Sequence, residues 1–516
     1  MADKYVFSFA EGAGPGRRLL GGKGAGLCEM TRIGLPVPPG FVVTTEACRR
    51  FLDDGRLPPG LVDEIHEHIS LLEKGTGRLF GGGEKPLLVA VRSGAAVSMP
   101  GMMDTILNLG LNRTTVRALY RETGDARFAF DAQRRFLGVF ATVALGLPVD
   151  EINERTRSLL DRHGVEAIEQ LDAPRLEELV SEYRGAVEAS TGWSFPEDPY
   201  VQLELAVRAV FKSWLGRRAL DYRHRFGIGP EVADGTAVNV CAMVFGNLGD
   251  TSGTGVGFTR DPATGQRGLY GEFLANAQGD DLVAGTRTPV PIPELESGMP
   301  EVHAELLELA QTLERHFHEV QDFEFTVERG RLFCLQTRNA KMNATAVVRT
   351  SVELAREGVI DRARAISRPA PDSLDQILVP QIAGDGHPSP LATGLAAAPG
   401  AVSGRIALDA ASAVARAGTG EDVILVREET RPEDVHGFFA ARGILTARGG
   451  RTSHAAVVAR GMGKPCVCGC AALDLDSRPG EVTIAGAVFA EGDIVTIDGA
   501  TGHVYAGAVP TEAGGP

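Results

Sequence analysis

The sequence predicts a multidomain α/β protein, and three observations carry that expectation. The chain is 516 residues long, whereas single hydrophobic cores stop growing at roughly 250–300 residues. Strand-like runs stand on both sides of a long segment with helical periodicity. A proline-rich stretch then separates a further set of strand-like runs from the first. Apolar residues make up 43% and charged residues 23%, and the 64 glycines are spread among loops instead of forming one tract, so the chain reads as globular.

Taken in order, residues 4–9 and 41–44 read as strands around a glycine-rich turn at 21–26 and a short helix over about 27–33. Gly34 and the prolines at 36, 38 and 39 stop that helix. Residues 113–230 lack alternation and are rich in Arg, Glu and Leu at helical spacing, so they read as a mainly helical insertion. Strand character returns at 237–244, 255–259, 322–327 and 332–335, the last two joined as a hairpin by Glu328-Arg329-Gly330-Arg331. The first domain is expected over 1–340, a helical segment and linker over 341–394, a second domain over 395–506, and a disordered tail over 507–516.

Composition excludes several function classes. A net charge of −15 and a pI near 5.3 disfavour nucleic acid and anionic lipid as partners, and no local basic patch offsets them. The seven cysteines, at 28, 48, 241, 334, 466, 468 and 470, form no regular disulfide framework and are expected to be reduced. Cys466, Cys468 and Cys470 alternate with Val467 and Gly469, a spacing that matches no common zinc motif. The N-terminus lacks the apolar core of a signal peptide, and no run of about 18 apolar residues occurs, so a cytoplasmic protein without a membrane span is expected.

The segment Gly449-Gly450-Arg451-Thr452-Ser453-His454-Ala455-Ala456-Val457-Val458-Ala459-Arg460 is the most informative in the chain. A buried strand at 443–446 meets a Gly-Gly break, Thr452 or Ser453 can cap the helix that follows, and His454 falls in its first turn. A phosphoryl group on that ring would lie in the positive field of the helix N-terminus. Neutral imidazole, with a reference pKa of about 6.5, is also a competent nitrogen nucleophile near neutrality. The plain alternative is a histidine near a helix cap with no chemistry.

Other stretches invite phosphate and metal chemistry. Gly22-Lys23-Gly24 is not a P-loop, because Gly24 stands where that motif requires Ser or Thr. Residues 250–258, DTSGTGVGF, place Gly253, Thr254 and Gly255 where backbone N–H groups can approach a polyphosphate, although such turns are usually only turns. In the hairpin, Asp322 and Glu324 share one strand face, and Gln336 on the pairing strand can converge with them. Hard oxygen ligands of this kind suit Mg²⁺ on ATP phosphates. A solvated acidic strand face is the competing reading, and the interleaved Phe323 and Phe325 favour a half-buried strand.

GILTARGGRTSHAAVVARGMGKPCVCG closely resembles the phosphohistidine motif of the pyruvate, phosphate dikinase family, among the phosphoenolpyruvate-utilising enzymes. The resemblance runs back in order through GGKGAGLCEMTRIGLPVPPGFVVTTEAC, VAVRSGAAVSMPGMMDTILNLGLN, GTAVNVCAMVFGNLGDTSGTGVGFTRDPATG, GEFLANAQGDDLVAGTRTP and QDFEFTVERGRLFCLQTRNAK. It implies an ATP-grasp domain with the helical insertion, followed by a swivelling β/β/α phosphohistidine domain. Lys23 and Arg92 would hold phosphate oxygens, Glu324 and Gln336 would serve Mg²⁺ and ATP, and Asp322 and Arg338 come next. Thr452 matches a threonine at which some members are regulated by phosphorylation, and Arg451 departs from a methionine in the motif.

The implied activity is ATP-dependent pyrophosphorylation of His454 with release of AMP, then phosphate-dependent release of pyrophosphate. Family members continue into a C-terminal (β/α)₈ barrel of about 250 residues that binds pyruvate or phosphoenolpyruvate. Here the sequence stops some ten residues after the phosphohistidine region, so delivery to pyruvate or phosphoenolpyruvate is expected to need a separate barrel domain or subunit. Two alternatives stay open: a phosphotransferase with a different small-molecule or protein acceptor, and a non-catalytic regulatory partner of a barrel subunit. A homodimer is a further expectation on partners.

Overall fold

A computed structural model describes residues 4–512 apart from 13, 15, 98, 100–102, 285–286, 371–378, 384–387, 431–433, 451–452 and 476–479. The chain divides into two compact units, Met1–Val244 with Phe333–Gln336, and Phe245–Leu332 with Thr337–Pro516.

In the first unit a five-stranded sheet runs in the order Val6–Ser8, Gly40–Val43, Thr236–Ala242, Val89–Ala95, Thr105–Leu109, with every pair antiparallel. The two central strands are buried on both faces, as a sheet between helical layers must be. Residues 21–26 are not a turn. They lie inside the helix Gly16–Arg32, which kinks at Gly21 (φ 69°, ψ 168°). A Cβ on Gly21 would overlap the Gly94 carbonyl oxygen, and one on Gly24 would lie 2.8 Å from Asn239 Oδ1. The glycines therefore let the helix settle onto the sheet.

The predicted helical insertion forms six helices: Thr115–Thr123, Ala126–Val143, Val149–His163, Ala173–Thr191, Pro199–Ser213 and Arg217–Arg225. Asp125, Asp172 and Asp198 cap three N-termini with their side chains, and Gly124, Gly164 and Gly192 end three helices in the left-handed conformation.

The second unit holds a five-stranded antiparallel sheet, Val290–Pro291, Arg267–Ala275, Gly253–Arg260, Gln321–Glu328, Arg331–Asn339. The hairpin turn uses positive φ at Arg329 (50°) and Gly330 (79°), as a tight two-residue connection demands. Buried Arg260 reaches Glu314, Glu353 and Glu357, tying its strand to the helices Pro300–Phe317 and Ala344–Arg356. The compact division after residue 244 falls inside the span 1–340 that the sequence suggests as the first domain.

An eight-stranded mixed sheet follows in the same unit. Its order is Ala392–Thr393, His503–Ala506, Ile494–Asp498, Ala401–Ala407, Val423–Arg427, Gly443–Thr446, Cys466–Cys468, Leu395–Ala398. The strands from 401 to 468 are parallel to one another, and the helices Ala410–Gly418, Val435–Ala440 and His454–Gly461 connect or flank them. The expected disordered tail is corrected in part: Thr511–Glu512 pairs with Gln381–Ile382 as a short antiparallel ladder. Among the described residues no helix is long and apolar enough to cross a membrane.

Candidate functional site

His454 is the first residue of the helix His454–Gly461, after Gly443–Thr446 as a fully buried strand. Gly449 (φ 105°) turns the chain between them. Of the two expected caps, Ser453 serves, its Oγ accepting from Ala456 N at 3.5 Å; Arg451 and Thr452 lie outside the described residues. The half-buried imidazole packs edge-on against Phe438 with ring centroids 5.7 Å apart. Below it, Ala455, Ala456 and Ala459 pack against Phe438, Ile444, Cys466 and Cys468, so the ring is oriented by a packed helix start where first-turn N–H groups point outward.

The candidate metal face lies on the strand Gln321–Glu328 of the same unit. Asp322 is buried, and Glu324, two residues on, is half-buried on the same face, while Phe323 and Phe325 are fully buried on the other. Arg338 Nε donates to Asp322 Oδ2 at 2.7 Å. Burial pushes the Asp322 carboxyl above the usual carboxylate range, although Arg338 opposes the shift. Burial likewise pulls the Arg338 guanidinium down, but Asp322 and Glu324 outweigh it and raise its affinity for the proton. Arg338 is thus engaged with a carboxylate in this arrangement. The remaining oxygen, Asp322 Oδ1, is buried with no hydrogen-bond partner among the described residues.

Lys23, Arg92 and Gln336 belong to the first unit. Lys23 follows the kink of the first helix, and a Cβ on Gly94 would lie 3.3 Å from its own Cβ. Arg92, half-buried on the strand Val89–Ala95, donates from Nη1 to the Leu335 carbonyl at 3.3 Å. Both cations bear on one point: burial raises the Cys241 thiol, and Arg92 and Lys23 together oppose that rise. Half-buried Gln336, on the strand Arg331–Asn339, adjoins Leu335, the residue whose carbonyl Arg92 reaches.

Gly253, Thr254 and Gly255, expected to approach a polyphosphate, stand in a strand and not in a loop. All three lie within the strand Gly253–Arg260, where Gly253, Gly255 and Gly257 leave room for the rings of Phe273, Phe325 and Phe323. Thr254 Oγ1 donates to the Phe325 carbonyl at 3.2 Å and is buried. Alternating glycines serve aromatic packing in a sheet, which looks like a loop in sequence.

Two residues were not singled out from sequence. Arg460, six positions beyond His454, is buried, donates from Nε to the Ala397 carbonyl at 2.9 Å, and stacks over the Phe258 ring at 5.9 Å. Its signal was an arginine inside an apolar helical run. Glu272 has a carboxylate where a Cβ on Gly450 would fall, and nothing local in the sequence marks it.

A mixed α/β nucleotide-binding fold followed by a domain presenting a histidine at a helix start defines a class of phosphotransfer proteins. The family described as pyruvate phosphate dikinase, AMP/ATP-binding domain, matches residues 17–70 and 53–292, more than half of the chain, and the chain belongs to it. A second family, described as PEP-utilising enzyme, mobile domain, matches residues 419–502. Pyruvate, phosphate dikinase of Entamoeba histolytica is 53% identical over 511 residues, 98% of this chain and 58% of that protein. The Rhizobium meliloti enzyme of that name is 48% identical over 98% of this chain and 58% of its own length. The chloroplastic enzyme of Flaveria trinervia is 49% identical, over 98% and 54%. The chain thus spans a little over half the length of these relatives.

Proposed function

We infer that this chain carries the nucleotide and phosphohistidine half-reactions of a pyruvate, phosphate dikinase. The observation that carries the reading is His454 at the first position of a serine-capped helix, in a region matching the mobile domain of phosphoenolpyruvate-utilising enzymes. In this reading residues 1–340 bind ATP as an ATP-grasp domain and residues 395–506 act as the swivelling domain. Lys23 and Arg92 hold phosphate oxygens, Glu324 and Gln336 serve the metal and ATP, and Asp322 and Arg338 come next. Gly253, Thr254 and Gly255 line the nucleotide side of their sheet as further ATP-binding positions, and Thr452 is the position where phosphorylation would regulate the histidine.

The residues fit Mg²⁺. Asp322 Oδ1 is a buried acceptor with no donor among the described residues, Glu324 lies two residues away on the same face, and Mg²⁺ commonly takes only one or two carboxylates. When bound there, Mg²⁺ would neutralise charge on the phosphates. The protein's own contribution is positional. Lys23 and Arg92 offset negative charge, and the helix start stabilises the anionic group that His454 acquires.

The His454 ring nitrogen attacks the β-phosphorus of ATP, the bond to the α-phosphate oxygen breaks, and AMP leaves. Phosphate then takes the terminal phosphoryl group as pyrophosphate, and phospho-His454 remains. Transfer to pyruvate requires an acceptor site outside the described residues, on a barrel in this polypeptide or another. ATP labelled at the β-phosphate should give acid-labile, base-stable label on the protein. His454→Ala should abolish it, and label that persists in this variant overturns the assignment. Glu324→Ala should lose Mg²⁺-dependent labelling while circular dichroism is unchanged; full labelling would reduce Glu324 to a surface carboxylate.

A further inference from the structure

A Cys-Val-Cys pair stands behind the His454 helix and takes no part in the reaction above. Cys466 and Cys468 share one face of their strand, both fully buried, with sulfurs 3.4 Å apart. Ser453 Oγ, which caps the helix by accepting from Ala456 N, also donates to Cys468 Sγ at 3.8 Å. One thiol is therefore wired directly to the cap of the catalytic helix.

The two sulfurs are chemically unequal. Either sulfur can donate to the other, but only Cys468 also accepts from Ser453 Oγ, a hydrogen bond that favours negative charge on that sulfur. Cys468, the sulfur held by Ser453, is therefore assigned the attacking role and Cys466 the resolving one. Cys470 belongs to a different packing cluster, and burial raises its thiol. Among the described residues no group of three His, Cys, Asp or Glu side chains could hold a metal ion, which leaves the pair a dithiol. Residues two apart in a strand are about 6.6 Å apart at Cα and similarly far at Cβ, whereas a disulfide holds its Cβ atoms about 4 Å apart, so closure must bend the strand beneath the His454 helix.

We propose that Cys466 and Cys468 are a thiol switch that accepts a peroxide and acts on the His454 helix through Ser453. The Cys468 thiolate attacks one peroxide oxygen, the O–O bond breaks, and a sulfenic acid forms with release of hydroxide, which is protonated to water. The Cys466 sulfur then attacks the sulfenic sulfur, the S–O bond breaks, and hydroxide leaves with the thiol proton as a second water. Two thiols and one hydrogen peroxide give one disulfide and two waters. Peroxide is near water in size, and the strand is only three residues long before Gly469 (φ 58°) turns the chain. Closure draws Cys468 Sγ toward Cys466 and so disturbs the hydrogen bond it accepts from Ser453 Oγ–H.

The link to phosphorylation rests on the function proposed above; the test does not. The full chain is treated with hydrogen peroxide, then examined by peptide mass and by hydrogen exchange. The peptide holding Cys466 and Cys468 should lose two hydrogens, and the Ala456 amide should exchange on the order of fivefold faster, the size expected for a weakened N-cap. Dithiothreitol should reverse both. Cys466→Ser and Cys468→Ser should abolish the exchange response, Cys466→Ser should leave a sulfenic acid that dimedone captures, and Cys470→Ser should respond like the parent. Two free thiols after peroxide treatment overturn the switch. A disulfide with unchanged Ala456 exchange overturns its coupling to the helix.

Discussion

Two glycine-rich stretches look alike in sequence and behave oppositely in the fold. GGKGAG at 21–26 is absorbed into a helix, whereas Gly449-Gly450 ends a strand and turns the chain toward the His454 helix. At Gly21 the deciding factor is distance: the Gly94 carbonyl occupies the space a Cβ needs. At Gly449 it is backbone direction, since φ is 105° and the nearest atoms to a Cβ, on Ser453, would be 3.1 Å away. The first glycine fits a helix to a sheet; the second delivers Ser453 to its cap.

The largest effect expected from this contrast is at Gly21→Ala. Alanine there needs a positive φ and a Cβ inside the Gly94 oxygen, so a loss of at least about 4 kcal/mol is expected, as for the severest single substitutions. Both tryptophans, Trp193 and Trp214, lie in the first unit, so urea unfolding followed by their fluorescence reads this region alone. A loss under about 1 kcal/mol would show that the helix can slide off the strand without cost.

Gly449→Ala comes next. It carries backbone strain of about 1–3 kcal/mol and should lower the calorimetric transition of the second unit while leaving tryptophan unfolding unchanged. A shift in the fluorescence transition instead would show that the turn at Gly449 is not confined to its own unit. Ser453→Ala is smaller, about 1 kcal/mol for a lost N-cap. Faster exchange should be confined to the first turn of His454–Gly461; unchanged Ala456 exchange would mean that the hydroxyl serves Cys468 and not the helix.

Much of the architecture was legible because it is written in local periodicity. The helical insertion, the hairpin with Arg329-Gly330, and the strand–turn–helix that carries His454 all rest on contacts within a few residues. What misled was glycine whose reason lies far away in sequence. Gly24 answers to Val42 and Asn239, and Gly253, Gly255 and Gly257 answer to Phe273, Phe325 and Phe323, so a run with no local partner looked like a loop. At the site, the pairing of Asp322 and Glu324 on one face followed from strand alternation. The depth at which Asp322 is buried, the Arg338 bond and the place of Arg460 did not, because each depends on what packs against the strand from outside it.

The smallest effect sharpens the comparison most, because it falls one residue from the largest. Gly22 does not adopt the left-handed region, and a Cβ there would sit 3.3 Å from the carbonyl oxygens of Ala95 and Ala96, tight but not overlapping. Alanine in place of glycine favours a helix by about 1 kcal/mol, and a contact of this closeness, relieved by a few tenths of an ångström, should take back a similar amount. Gly22→Ala is therefore expected to change stability by less than about 0.5 kcal/mol, read by the same tryptophan fluorescence as Gly21→Ala. Near-neutrality beside a severe neighbour would establish that one close backbone approach, and not glycine content, fixes how the Lys23 helix meets its sheet. A cost at Gly22 comparable to that at Gly21 would mean that the strand edge at 94–96 is rigid along its length, so that the whole glycine run is needed for closeness.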